Sequence, residues 1–205
     1  VSNEWSEPGR VAEYLSREIP HRTTAEEMLL AALPERVDRF LDLGTGDGRM
    51  LALVRSRHPD ALAVGLDSSE PMLARAIEQF GSDPLTEFRL HDLDYALTES
   101  GPFDAVVSGL AIHHLEDTRK RQLFAEVRAL LARGAVFANL DLVAPASQRL
   151  HQRFRSEIGR VEDDPSDHLS GLSDQLTWLR DAGFGEVDCH FKWLELALVV
   201  AYTDY

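Results

Sequence analysis

The chain has 205 residues, 44% of them hydrophobic, which is enough for one domain with a substantial core and predicts a single unit over 1–205. Its 21 Lys and Arg against 35 Asp and Glu leave a net charge of −14, so a surface built to grip nucleic-acid phosphates is not expected. A lone cysteine, Cys189, excludes an internal disulfide. With no leader-like start and no apolar run that would span a bilayer, the expected setting is cytoplasmic and away from membranes. Residues 1–35 carry two helical patterns and read as an N-terminal helical cap. One pattern holds Val11, Tyr14 and Leu15; the other holds Met28, Leu29 and Leu33, with Thr23 or Thr24 as its cap. Tyr14, His21 and Arg22 are polar candidates for reaching a ligand there, although ordinary surface placement is the plainer reading, and Trp5 reads as a packing anchor.

Phe40, Leu41 and Leu43 form an apolar run too short for a helix, followed by Gly44, Gly46 and Gly48 at alternate positions. This reads as a strand ending in a glycine loop, where the backbone turns sharply and can approach a ligand. Met50, Leu51 and Val54 then have helical spacing. The loop therefore lies at a helix N-terminus, whose free N–H groups favour a negatively charged ligand group, as in a nucleotide-type cofactor. A dinucleotide fingerprint, G-x-G-x-x-G, needs glycine three residues after Gly46, where Arg49 stands, so a nicotinamide-linked oxidoreductase fits poorly. The run Asp42-Leu43-Gly44-Thr45-Gly46-Asp47-Gly48 instead resembles the first motif of the class I S-adenosylmethionine-dependent methyltransferases. The resemblance implies that Asp42, Gly44, Thr45 and Gly46 hold the amino-acid end of S-adenosyl-L-methionine. An acid suits that ammonium- and sulfonium-bearing ligand and would repel a pyrophosphate. The bland alternative, a turn with no ligand, leaves three destabilising glycines without a reason.

Ala61 to Leu66 is the second apolar run, closed by Asp67, 21 residues beyond Gly46. One carboxylate at the end of a second strand can accept from both ribose hydroxyls. Ser68 or Ser69 then caps a helix with Pro71 in its first turn, and with Met72 and Leu73 this stretch resembles the second motif of the family. The competing reading of Asp67 is a plain helix-start residue. Phe88 to Leu93 reads as the third strand and its exit. The resemblance implies that Asp92 accepts from the adenine amino group and that Leu93 supplies a backbone N–H and an apolar wall.

Phe103 to Ser108 is near-continuously apolar, as a strand buried on both faces must be, and it runs into Gly109-Leu110-Ala111-Ile112-His113-His114-Leu115. This resembles the fourth motif and implies Ser108 to Leu110, Gly109 among them, beside the methionine part of the cofactor. Adjacent histidines point about 100° apart on a helix and no third ligand is apparent, so no metal is expected. His113 and His114 are candidates for the substrate pocket, against a packing or capping role. Leu123, Val127, Leu130 and Leu131 form a core-facing helical stripe, and Gly134 leads into a fifth strand over 136–143. On that strand Asn139 and Asp141 share a face, with Asp141 nearer the carboxyl end.

Residues 144–170 interrupt the alternation with a helix from Ser147 to about Val161, expected as an inserted lid on the substrate side. Arg149, Arg153, Arg155 and Arg160 make it locally basic, which would suit an anionic acceptor. A last crossover helix, Leu172 to Ala182, precedes two strands joined too closely for a parallel crossover, hence a hairpin. The expected fold is α/β, a Rossmann-like doubly wound seven-stranded sheet with that antiparallel hairpin at its end. The expected function is in-line methyl transfer from S-adenosyl-L-methionine to a small-molecule acceptor. His113, His114 and Asp141 are the candidate catalytic groups, and the oligomeric state, with a homodimer among the options, stays open. An enzyme acting on the wobble uridine of transfer RNA and a non-catalytic cofactor-binding regulator are the rival readings.

Overall fold

In the computed structural model, which describes residues 18–204, seven strands form one sheet in the order β3-β2-β1-β4-β5-β7-β6. The elements are α1 (Arg22–Ala32), β1 (Arg39–Leu43), α2 (Arg49–Arg57), β2 (Leu62–Asp67), α3 (Glu70–Phe80), β3 (Thr86–Leu90), β4 (Phe103–Gly109), α4 (Asp117–Leu130), β5 (Leu131–Leu142), α5 (Gln148–Glu157), α6 (Leu172–Asp181), β6 (Glu186–Trp193) and β7 (Leu196–Tyr202). Strands β1 to β5 pair in parallel, and β7 runs antiparallel to both β5 and β6. The expected sheet and terminal hairpin are both present.

Pleating sends alternate side chains of β1 to opposite faces, which is why both faces carry helices. Phe40 joins Leu29 of α1 and Met50, Leu51 and Val54 of α2 on one side. Leu41 and Leu43 join Leu123, Phe124 and Val127 of α4 and Trp178 of α6 on the other. The parallel register fixes the functional edge. Leu43 pairs with Leu66 of β2 and Ser108 of β4, and Asp67 pairs with Leu90 of β3, so four chain exits stand side by side at one end of the sheet.

Several boundaries differ from the sequence reading. His21 occupies the left-handed region (φ 65°) ahead of α1, so Thr23 and Thr24 lie inside the first turn and do not cap it. The helical pattern around Val11, with Tyr14 and Trp5, falls outside the described residues. Strand β5 begins at Leu131, directly after α4, and its register against β4 breaks between Phe103 and Ala105. Gly134 (φ 69°) therefore bends a strand already begun, with its N–H on the Asp204 carbonyl (3.1 Å). Helix α5, capped by Ser147 Oγ on the Leu150 N–H, stops at Glu157, short of the predicted end, and Gly159 (φ 70°) follows. No helix among the described residues is long and apolar enough to cross a membrane.

Candidate active site

The four chain exits enclose a cleft of about 680 Å³, counted with its open mouth. Its walls are Gly44 and Gly46 after β1, Asp67 to Ser69 and Met72 after β2, His91 to Leu93 after β3, and Leu110, Ala111, His114 and Leu115 after β4. Two glycines make the floor possible. Gly44 has φ 67°, and a Cβ there would lie 2.2 Å from the Cβ of Ala111; Gly46 has φ 57°, with Met72 Cε 3.0 Å from where its Cβ would be. Without side chains at these two positions, the backbone of the loop itself makes the cleft floor.

Asp67 Oδ2 accepts from the Gly46 N–H and Oδ1 from the Ser69 N–H, each at 2.8 Å. Burial raises its pKa, and these N–H donors work against that rise. The cap of α3 is Ser69, whose Oγ accepts from the Met72 N–H, so Asp67 is more than a helix-start residue: it ties the glycine loop to the end of β2. Asp92 lines the wall beside Leu93, with Oδ1 on the Asp94 N–H (3.0 Å).

Other candidates support the cleft without forming its wall. Asp42 is fully buried beneath the loop; Oδ2 accepts from Thr45 Oγ1 (2.6 Å), Oδ1 has no hydrogen-bond partner, and burial pushes its pKa up to about 7. Thr45 is likewise buried and donates its N–H to the Leu66 carbonyl. Ser108 Oγ donates to the Leu43 carbonyl (2.8 Å), stitching β4 to β1, and Gly109 packs on Met50. Of the stretch expected beside the cofactor only Leu110 (φ 58°) lines the cleft, joined by Ala111, because Ser108 and Gly109 still belong to the buried strand. Sequence reasoning also passed over His91 and Leu115, which no motif marks as different from ordinary loop residues.

Ile112 to His114 form a 3₁₀ turn, and although adjacent side chains leave such a turn about 120° apart, the two imidazoles fold together with ring centroids 4.0 Å apart. His114 faces the cleft, while His113 is buried behind it. Asp141, from β5, accepts from His113 Nδ1 at 2.5 Å, and Asp167 Oδ1 lies 3.4 Å from His113 Nε2. Asn139, on the same strand face, is buried packing. Burial alone would lower the pKa of His113, but Asp141 and Asp167 outweigh it and raise the value to about 9. For His114, burial and the neighbouring His113 charge lower it to about 4. The expectation that no third ligand exists needs correcting: His113, His114 and Asp167 offer ligand atoms within 4.8 Å of one another. His114 Nδ1 nevertheless sits on the Ser166 carbonyl (3.1 Å), which accepts only and so requires a proton on that nitrogen.

The sign of the His113 shift gives a stability prediction. A pKa raised on folding contributes stability that is fully present below the unfolded value near 6.5 and lost as pH rises through 9. Urea denaturation between pH 6 and 10 should show a decline of about 3 kcal/mol. Asp141→Asn should be less stable at pH 6 and should flatten that decline; an unchanged slope would refute the ion pair.

The inserted segment departs from the lid that the sequence predicts. Phe154 of α5 is buried against Trp193 (ring centroids 5.9 Å), so the helix packs on the hairpin and none of its residues walls the cleft. The arginines there face acids: Arg153 lies 3.6 Å from Glu157, Arg155 3.2 Å from Asp163, and Arg160 2.7 Å from Asp164 and 3.2 Å from Asp167. His21 and Arg22 are also away from the cleft, on Trp193 and Glu26 respectively.

Residues 40–134 match the family model described as a methyltransferase domain. An uncharacterised methyltransferase of Mycobacterium tuberculosis is 34% identical over 121 residues, 59% of each chain. The trans-aconitate 2-methyltransferase of Variovorax paradoxus is 36% identical over 119 residues, 57% of this chain and 44% of that enzyme. These matches span less than two thirds of those relatives' length. Among solved structures, an O-methyltransferase family protein from Burkholderia thailandensis shares the fold with a TM-score of 0.75 at 17% identity, over 98% of this chain and 61% of its own. Over residues 40–134, which hold the glycine-floored cleft and its strand-end acids, the chain is thus similar to the class I S-adenosylmethionine-dependent methyltransferases.

Proposed function

We propose that this protein transfers a methyl group from S-adenosylmethionine to a small-molecule acceptor that gives up a proton, a hydroxyl or an amine. The observation that carries this reading is the join of two surfaces: a cleft walled by Gly44, Gly46, Asp67 and Asp92, and His114 on the wall of the same cleft. Asp67 would hold the ribose and Asp92 the adenine, while the glycine loop, supported from beneath by Asp42 and Thr45, would receive the amino-acid end. The cofactor supplies a methyl carbon bonded to a sulfonium, whose departure as a neutral thioether calls for no metal. The chain's own work is alignment, exclusion of water and removal of one proton. His114 is held neutral, and as the acceptor atom gains positive charge its proton becomes acidic enough for a weak base to take. A small acceptor also fits the trans-aconitate relative, but the arginines that favoured an anionic one are paired with acids of this chain.

S-adenosylhomocysteine should raise the melting temperature, and NAD should not. Asp67→Ala should weaken S-adenosylhomocysteine binding by roughly 1.5–3 kcal/mol, the range for hydrogen bonds to a charged group. The same variant should melt lower, since the Gly46 and Ser69 N–H groups lose their acceptor. Calorimetry showing wild-type affinity would remove Asp67 from the ribose role.

A further inference from the structure

Between α5 and α6 the chain lays a strap over the histidine turn. The His168 N–H donates to the His113 carbonyl (2.9 Å), the Ser166 carbonyl faces His114 Nδ1, and Asp167 faces His113 Nε2. Lys120, buried in α4, anchors the strap by donating to the His168 carbonyl and to Ser170 Oγ (2.6 Å). Arg160 holds Asp164 and Asp167 from behind. Hydrogen-bond logic then assigns the protons. Both ring nitrogens of His113 face carboxylates, which accept only, so both carry hydrogen and the ring is an imidazolium. Ser166 Oγ spends its proton on Asp164 Oδ1 (2.7 Å), so neither Ser166 oxygen donates to His114 Nδ1. His114 is the Nδ1–H tautomer, and its Nε2 keeps the lone pair.

We propose that the strap is a positioning device for methyl transfer, in which Asp167 and the Ser166 carbonyl fix His114 as the tautomer with a basic Nε2 and keep a proton on His113 behind it. The idea rests on His114 being the base. It adds two groups that touch neither cofactor nor acceptor, and it explains why a segment 50 residues along the chain is tied to this turn by several polar contacts. Burial of the ring, reinforced by the charge of His113 behind it, keeps His114 from being protonated at working pH. The ionisable groups packed around the pair are Asp141 from β5, Asp167, Asp164 and Arg160 from the strap, and Lys120 and Asp117 from α4.

Nitrogen-15 NMR on the full chain saturated with S-adenosylhomocysteine reads the two rings without turnover. At pH 7 the wild type should show His113 doubly protonated and His114 as the Nδ1–H tautomer. In Asp167→Asn, His113 should titrate at lower pH and His114 should populate both tautomers, while S-adenosylhomocysteine affinity stays within twofold. Asp167→Glu should restore much of the wild-type pattern. With an acceptor in hand, Asp167→Asn should lower kcat roughly 10–100-fold, the range for losing a partner that orients a functional imidazole, with KM little changed. Wild-type tautomer and titration in Asp167→Asn would overturn the proposal. Equilibrium dialysis showing one Zn²⁺ per wild-type chain, lost in that variant, would also overturn it by making the same three side chains ligands. Failure to find any acceptor would count against the methyltransferase reading, while the ring titrations would still decide the strap.

Discussion

Gly44→Ala should abolish S-adenosylhomocysteine binding and destabilise the fold by about 2–4 kcal/mol, combining a left-handed backbone cost with overpacking. The added methyl would lie 2.2 Å from Ala111 Cβ, well inside contact distance, at a position whose φ of 67° already disfavours a side chain. Neither partner has room to yield. Gly44 directly follows β1, whose residues 40–43 are buried, and Ala111 enters the 3₁₀ turn that carries the histidines, so relief would move the cleft floor or the histidine turn. The double variant Gly44→Ala with Ala111→Gly removes the clash but keeps the φ cost. It should recover most of the stability and part of the affinity. Calorimetry and thermal denaturation check both, and a single variant that binds normally would mean this loop does not receive the cofactor.

His114→Ala should reduce kcat by roughly 10²–10⁴, the contribution of a general base, with S-adenosylhomocysteine affinity close to wild type. Direction with pH follows from the two shifts. His114, held near 4, is in its basic form throughout the neutral range, so kcat should fall only as pH drops through about 4. His113, near 9, keeps its charge across the same neutral range and so gives no limb of its own there. The His114→Ala profile should lose the lower limb. A variant with wild-type kcat at every pH would reduce His114 to a wall residue and leave proton removal to solvent.

The sequence by itself determined the fold and half of the site. Short apolar runs of strand length, glycines at 44, 46 and 48 and acids at 67 and 92 are local signals, because a strand exit needs its turn residues in the chain at that point. The parallel register then forces consecutive exits together, so the cofactor side was legible before any coordinates. What only the tertiary structure decided is the set of partners around the two histidines. Asp167 and Ser166 stand more than 50 residues beyond the histidines in an acidic, unpatterned stretch, and nothing local distinguishes Asp167 from Asp163 or Asp164. Their role comes from the strap crossing back over the 3₁₀ turn, where the two rings lie 4.0 Å apart. The arginines of α5 are the opposite case: their spacing is visible in the sequence, but their acidic partners are set by how the chain folds back after Gly159. Charge in a sequence states what a side chain can bind, and burial and partner distance, which are properties of the fold, decide what it does bind.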